Sequence, residues 1–219
     1  KVTPVENIVE YNANNTSSNT SSNTSSNTSN LNIKLVEAFL LVEHIFLDNE
    51  ERAKFLQTKH EYLIEQLQYL GEKILNSKNE QIKLNFTQPI KEIYWVTQMK
   101  NDKEFHYNNV IQKATLLFNG IERISFRDID YFSKVNNYYY HSENSNKNIS
   151  SYSFSQDPES CLQPAGAVNF TLLDDVRLKL ELNDNVNINN VMKIKIYALG
   201  YNILRFSNGL CGVLFSRDN

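Results

Sequence analysis

Two cysteines, four prolines, six glycines and one tryptophan are all that 219 residues contain of these types. Cys161 and Cys211 lie far apart, so both are expected to be reduced, in or near a core, rather than joined in a bridge. With so little glycine and proline, asparagine has to form many of the turns, because its side chain satisfies local backbone groups and tolerates left-handed dihedrals. Excess positive charge is also missing. The net charge is -3 and the sequence pI is about 5.9, which makes a poor phosphate-binding surface and gives no expectation of direct nucleic-acid binding. The longest apolar run is too short to span a bilayer. The chain opens without a secretory apolar segment, and its first residue is Lys1, as a processed chain or a fragment would have it.

Motifs of catalysis are equally scarce. His44, His60, His106 and His141 have no metal-ligand spacing to one another or to cysteine. Asp128 with Asp130, and Asp174 with Asp175, fall at expected strand ends and turns, where aspartate serves the backbone. Ser151, Ser153 and Ser155 alternate in SSYSFSQ without a nucleophile-elbow context. There is no glycine-rich dinucleotide fingerprint and no phosphate loop. No enzyme and no cofactor is expected.

Aromatic residues are abundant: 12 Tyr and 12 Phe. They favour the pleated surface of strands. Residues 1–30 stand apart from the rest. Their SSNT unit recurs at Ser17, Ser21 and Ser25 and has nothing to bury, so this stretch reads as a solvent-facing linker or loop insertion. It offers Asn-x-Ser/Thr triplets at Asn14, Asn15, Asn19, Asn23 and Asn27, which are glycan acceptors wherever glycosylation machinery is met.

LNIKLVEAFLLVEHIFL, residues 31–47, has the composition of a long strand. In DNEER, Asp48 is placed to cap a helix, with Glu51 three residues on. The apolar spacing that follows extends that helix to about residue 70 on pattern alone. From Asn79 the period becomes two. QIKLNF and KEIYWVTQM read as strands separated by Pro89. KATLLFNGIERISF reads as a hairpin turning at Asn119 and Gly120. In DVRLKLEL, Val176, Leu178, Leu180 and Leu182 face one way and Arg177, Lys179 and Glu181 the other. The C-terminal VMKIKIYALGYNILRFSNGLCGVLFS gives two strands that part at Gly200 or at Asn208-Gly209. About eight short strands predict an all-β fold, an antiparallel sandwich or barrel. Facing two sheets together is what offsets chain ordering, at roughly 25 cal/mol per Å² of apolar area.

Seven separated motifs, in order from about Leu31 to Phe215, carry a resemblance. They are HIFLDNEERAKF, HEYLIEQLQ, KEIYWVTQ, LLFNGIER, YFSKVNNYYYH, YSFSQDPESCLQPAGAVNF and YALGYNILRFSNGLCGVLFS. Together they resemble the major capsid proteins of large icosahedral nucleocytoplasmic double-stranded DNA viruses. The resemblance implies a two-sheet jelly-roll sandwich with a short helical insertion over residues 31–219, the second of two successive jelly rolls. It implies a structural virion protein in the capsid shell, with three chains forming a pseudo-hexagonal capsomer. Partners would be its own copies, neighbouring capsomers, minor capsid proteins and a first jelly-roll chain. It also shortens the helix to Asn49–Gln57 and turns YLIEQLQ into a strand starting at Tyr62. Against the family pattern stand the absent first half, the SSNT tract, and Ala165 where serine is usual.

Two regions remain as candidate sites. Pro158, Pro164 and Gly166 make DPESCLQPAG a stiff loop between strands. Tyr138, Tyr139 and Tyr140, read as part of a strand, cannot all point inward, so at least one is expected on a subunit contact. The rival functions on the same fold are a carbohydrate-binding module, suited by exposed tyrosine and asparagine, and a capsid-protein fragment that does not assemble.

Overall fold

In a computed structural model the residues described are 39–99, 106–143, 148–160, 163–183 and 192–215. The SSNT tract with Asn14, Asn15, Asn19, Asn23 and Asn27 lies outside them, as does Cys161.

The described residues carry one helix α1 (Asn49–Gln57), then β1 (His60–Leu75), β2 (Asn79–Lys83), β3 (Pro89–Met99), β4 (Ile111–Phe118) and β5 (Ile121–Asp128). A π-helical turn, Tyr131–Val135, runs directly into α2 (Asn136–Tyr140). The order continues with β6 (Ser150–Ser153), β7 (Val168–Asn169), a 3-10 turn at Phe170–Leu172, β8 (Val176–Leu182), β9 (Met192–Ser207) and β10 (Leu210–Val213).

These strands make two antiparallel sheets. One has the order β1-β9-β3-β6, with β10 added to β9 and β7 to β3; the other has the order β2-β8-β4-β5. The chain moves back and forth between the sheets as it wraps: β1, β3, β6 and β9 on one side, β2, β4, β5 and β8 on the other. That is a jelly-roll sandwich, as the sequence led one to expect.

Period-two alternation builds the core. In β8 the burial pattern alternates through Val176, Leu178, Leu180 and Leu182. In β9 Met192, Ile194, Ile196 and Ala198 are buried while the lysines between them are less so. These faces meet Ile93 and Trp95 of β3 and Ala114 and Leu116 of β4 in one cluster. Aromatic rings close its ends: Trp95 packs edge-on to Phe132 at 5.2 Å, and Phe154 to Phe170 at 5.7 Å. Such pairs add about 0.5–1.5 kcal/mol beyond the area they bury.

Asparagine does form the tight turns. Asn119 and Gly120 both have positive φ (49° and 81°), as do Asn208 and Gly209 (53° and 75°), the backbone that two-residue hairpin loops need. The C-terminal strands therefore part at Asn208-Gly209, and Gly200 lies inside β9. The helix is the short one, and the Asp48 carboxylate accepts the Glu51 amide at 2.8 Å.

Four expectations are corrected. Residues 39–47, the described part of the strand expected over 31–47, pair with no strand and are exposed. Tyr138 to Tyr140 lie on a helix, because Phe132 turns into the core and Ser133 and Asn137 bond locally to the carbonyls of Ile129 and Ser133. Pro89 does not separate strands but begins β3. Cys211 is exposed, since β10 packs on no second layer.

Candidate assembly surface

Two kinds of surface stand out on this sandwich. One is a polar clasp on the side of β3 turned away from the second sheet; the other is a set of exposed apolar side chains at β1, β9 and α2.

The clasp begins with a bulge. Ile90 pairs with Gly200 and Glu92 with Leu199, so Lys91 is an extra residue in β3. The insertion puts Lys91 and Glu92, neighbours in sequence, both out of solvent. Lys91 is 1% exposed. Its ammonium pairs with Glu65 of β1, donates to the Pro158 carbonyl at 2.7 Å, and stands 5.7 Å from the centre of the Tyr201 ring. Glu92 is held by the Tyr94 hydroxyl at 2.6 Å and by His141 Nε2 at 2.8 Å. Burial, and then the charge of Glu92, push the Tyr94 phenol far above its ordinary value, so it stays a donor. Glu159 accepts the Ser142 amide at 3.1 Å and lies 3.4 Å from His141 Nδ1. The Ser142 amide, with smaller help from His141, holds the Glu159 carboxyl below the usual carboxylate range. The arrangement is a fastener: it ties the segment on either side of β6 to β3 and β1. It has no nucleophile beside a base, and among the described residues no three His, Cys, Asp or Glu side chains gather as metal ligands.

The predicted loop residues sit around this fastener. Pro158 supplies its carbonyl to Lys91. Gly166 has φ 135°, so a side chain there is strained by the backbone, and its Cβ would crowd the Phe154 carbonyl at 3.1 Å. Pro164 precedes Ala165, whose carbonyl accepts the Gln156 amide at 3.2 Å. Asn119 ties the β4–β5 turn to the start of β8, accepting the Asp175 amide at 2.9 Å. Ser151 is bonded to Asn136 and Asn137 of α2, and Ser153 to the Ser155 carbonyl. Asp130 pairs with Lys134 and Asp175 with Arg177. Each of these polar residues serves the backbone or a neighbouring element.

The apolar surface has three parts. On the outward face of β1 and β9, Leu63 lies opposite Ile203, Leu67 opposite Leu199, and Tyr69 opposite Tyr197 with rings stacked at 4.7 Å. At the end of the same sheet, Phe55, Leu56, Tyr62, Phe206 and Leu210 line a groove of about 420 Å³. On α2, Tyr138 and Tyr139 are 73% and 74% exposed, edge-to-face at 5.9 Å, while Tyr140 is half-buried. Reading the sequence located the tyrosines but missed Lys91, Glu92 and the groove. Two adjacent charges in KEIYWV signal burial only once the bulge is known.

The sandwich thus carries a buried polar fastener and an exposed apolar flank. The family model for large eukaryotic DNA virus major capsid proteins matches residues 51–212. The chain belongs to that family. Among curated relatives, the major capsid protein of Pyramimonas orientalis virus is 35% identical, over 83% of this chain and 50% of its own length. Probable capsid protein 4 of Acanthamoeba polyphaga mimivirus is 33% identical, over 84% of this chain and 40% of its own. Among solved structures, a chain of the PBCV-1 virus capsid superposes with a TM-score of 0.63 at 25% identity, covering 78% of this chain and 55% of that one. The Faustovirus major capsid protein, at 11% identity and a TM-score of 0.60, shares the fold. The chain thus spans about half the length of these curated relatives. The relatives it matches are capsid proteins by name.

Proposed function

We propose that this chain is the second of two jelly rolls in a capsid building block, and that three such blocks close a pseudo-hexagonal capsomer of an icosahedral shell. The observation that carries the reading is the apolar flank of β1 and β9. Leu63, Leu67 and Tyr69 are exposed on a sheet whose other face is already filled, and obligate interfaces are the usual reason for such a face. Threefold closure needs a heterologous contact, in which two different surfaces meet. Tyr138 and Tyr139, on α2, supply a second and different surface for it. Residues 31–219 would form the jelly-roll unit. Residues 1–30 would project into solvent with the acceptor asparagines Asn14, Asn15, Asn19, Asn23 and Asn27. Neighbouring capsomers, minor capsid proteins and a first jelly-roll chain complete the partners; nucleic acid is not among them.

Mass measurement of the purified chain at micromolar concentration, alone and with the first jelly roll supplied, tests the proposal. A threefold mass is expected once both jelly rolls are present. A strict monomer under both conditions overturns it.

A further inference from the structure

Two of the six glycines follow an asparagine, and both pairs occupy the same kind of turn. Asn119-Gly120 joins β4 to β5, and Asn208-Gly209 joins β9 to β10, each with both residues at positive φ. In such a pair the glycine has no side chain to shield its amide nitrogen from the asparagine carboxamide. The turn itself holds the two apart. In a type I′ turn ψ at the asparagine is about +30°, which points the glycine nitrogen away from the asparagine side chain. Closing a ring between them needs that nitrogen brought round to the side-chain side, so the turn must open first.

What resists that opening differs between the two. The Asn119 amide donates to the Asp175 carbonyl at 2.7 Å, and its Oδ1 accepts the Asp175 amide at 2.9 Å. Phe118, just before it, lies 6.0 Å from the Phe154 ring and 5.9 Å from the Phe170 ring. Phe118 also pairs with Ile121 of β5 on one side and Val176 of β8 on the other. Opening this turn means disturbing the core. The Asn208 side chain is exposed and has no hydrogen-bond partner among the described residues. The strand that follows it, β10, has 4 residues, is exposed throughout and pairs only with β9. Its far end is tied down, because the Phe215 carbonyl accepts from Gln88 and Asn202 at 2.7 Å each. The end free to lift is therefore the one that carries the turn, and short exposed segments of this kind open at low cost.

We infer that Asn208 is a site of spontaneous deamidation, and that Asn119, in the same dipeptide and the same turn, is spared by the fold. In the opened turn the Gly209 nitrogen attacks Asn208 Cγ. A new C–N bond forms, the Cγ–Nδ2 bond breaks, and the Gly209 amide proton leaves with Nδ2 as ammonia. Water then adds to one of the two carbonyls of the cyclic imide and opens it. Opening at Cγ leaves aspartate. Opening at the backbone carbonyl leaves isoaspartate, whose main chain runs through Cβ and Cγ. Isoaspartate lengthens a two-residue turn by one backbone carbon, which ends its fit to the pairing of Ser207 with Leu210. Either product sets a carboxylate beside the apolar groove that Gly209 and Leu210 line. The modification is a slow, one-way change of the surface at this end of the sheet, and it follows from the turn whether or not three chains assemble.

Peptide mass mapping of the full chain, aged in mildly alkaline buffer with and without denaturing urea, tests the inference. Each site is read by the exchange of NH for O in its own peptide. In urea the two sites should react at rates within about threefold of each other, since the fold no longer separates them. In the folded chain Asn208 should react at least about tenfold faster than Asn119. Asn208→Ser should abolish the change in its peptide and leave the Asn119 rate as it was. Equal rates in the folded chain, or a faster Asn119, would overturn the inference. Hydrogen exchange then reads the consequence. In the fraction carrying isoaspartate, the amides of β10 should exchange at least about tenfold faster than in fresh chain, with those of β9 opposite β3 unchanged. Asn208→Asp, which adds the charge without the extra carbon, should keep β10 protected. Unaltered β10 protection in the isoaspartate fraction would show that the longer turn still fits, and would overturn the loss of register.

Discussion

Gly200 lies flat against Pro89. A Cβ on Gly200 would collide with the Pro89 carbonyl oxygen and come within 2.8 Å of Ile90 Cδ1 and 3.3 Å of Ile90 Cα. This is where β3 enters beside β9, one residue before the bulge at Lys91. Two of the obstructing atoms are backbone, which cannot swing aside. Gly200→Ala is therefore expected to destabilise the domain by about 3 kcal/mol, at the upper end for an overpacked site. Urea unfolding of the two proteins checks it; a loss below about 1 kcal/mol would mean that β3 has room to shift.

Leu178 and Leu180 lie on β8 with their side chains in the cluster between the sheets. A carboxylate at either site has no partner and no water. Leu180→Asp should cost about 4–5 kcal/mol or leave the domain unfolded. Lys179→Ala, on the opposite face, should stay within about 1 kcal/mol even though it loses the approach of Lys179 to the Phe126 ring at 5.7 Å. Circular dichroism with chemical denaturation separates these outcomes.

The part of the fold that strict alternation controls was legible: DVRLKLEL in β8, and the Asn-Gly turns with both residues at positive φ. Three features were not, each for a different reason. The bulge at Lys91 adds one residue to one strand, and no periodicity reveals which residue is extra. Residues 131–140 are aromatic, as strands are, yet they coil, because docking Phe132 against Trp95 and Tyr152 outweighs local preference. Residues 39–47 have the composition of a strand yet pair with none, because composition favours extended backbone without supplying a sheet edge to join. At the candidate surface the same limit applies. Tyrosines can be counted in sequence; the groove exists only after α1 and the β9–β10 hairpin come together.

Lys91 is a buried cation with a carboxylate, a carbonyl and a ring around it. Removing one member of such a set leaves the others unpaired, and that is more costly than never having had the set. Lys91→Ala is expected to lose about 3 kcal/mol, and Lys91→Met less, because methionine refills the volume. The double variant Lys91→Met with Glu65→Gln should recover part of the loss, since the carboxylate that needed a cation is gone. Thermal unfolding of wild type, Lys91→Met, Glu65→Gln and the double variant closes the cycle; strict additivity would show that the pair is not coupled.

Glu159 is fastened to the Ser142 amide and to His141, and its folded-state carboxyl is held below the ordinary range. A carboxyl depressed on folding stabilises the native state when ionised. Its contribution is full above the unfolded value, near pH 4, and fades as pH falls through the folded one. Wild type and Glu159→Gln should thus differ most in stability at neutral pH and converge at about pH 3 or below. Because Glu159 is exposed, the gap will be small, and it should narrow in salt. Denaturation midpoints between pH 3 and pH 7 check the sign; a gap that widens on acidification would reverse the assignment.

Tyr138 and Tyr139 separate folding from assembly. Both project from the short helix α2, whose attachment to the body runs through Asn136, Asn137 and Ser151 instead. Changing both tyrosines to serine removes exposed rings and no interior support. The midpoint of thermal unfolding should therefore move by no more than about 2 °C. If this face meets a neighbouring subunit, two aromatic side chains of this size are typical anchors, and their loss should weaken association at least tenfold, about 1.4 kcal/mol. The contrast with Asn137→Ala decides the matter. That change strips the acceptor of the Ser151 hydroxyl inside the body, so it should lower stability by about 1–3 kcal/mol. Sedimentation beside thermal unfolding reads both quantities. A tyrosine variant that assembles like wild type would remove α2 from the interface and leave the flank of β1 and β9 as its remaining site.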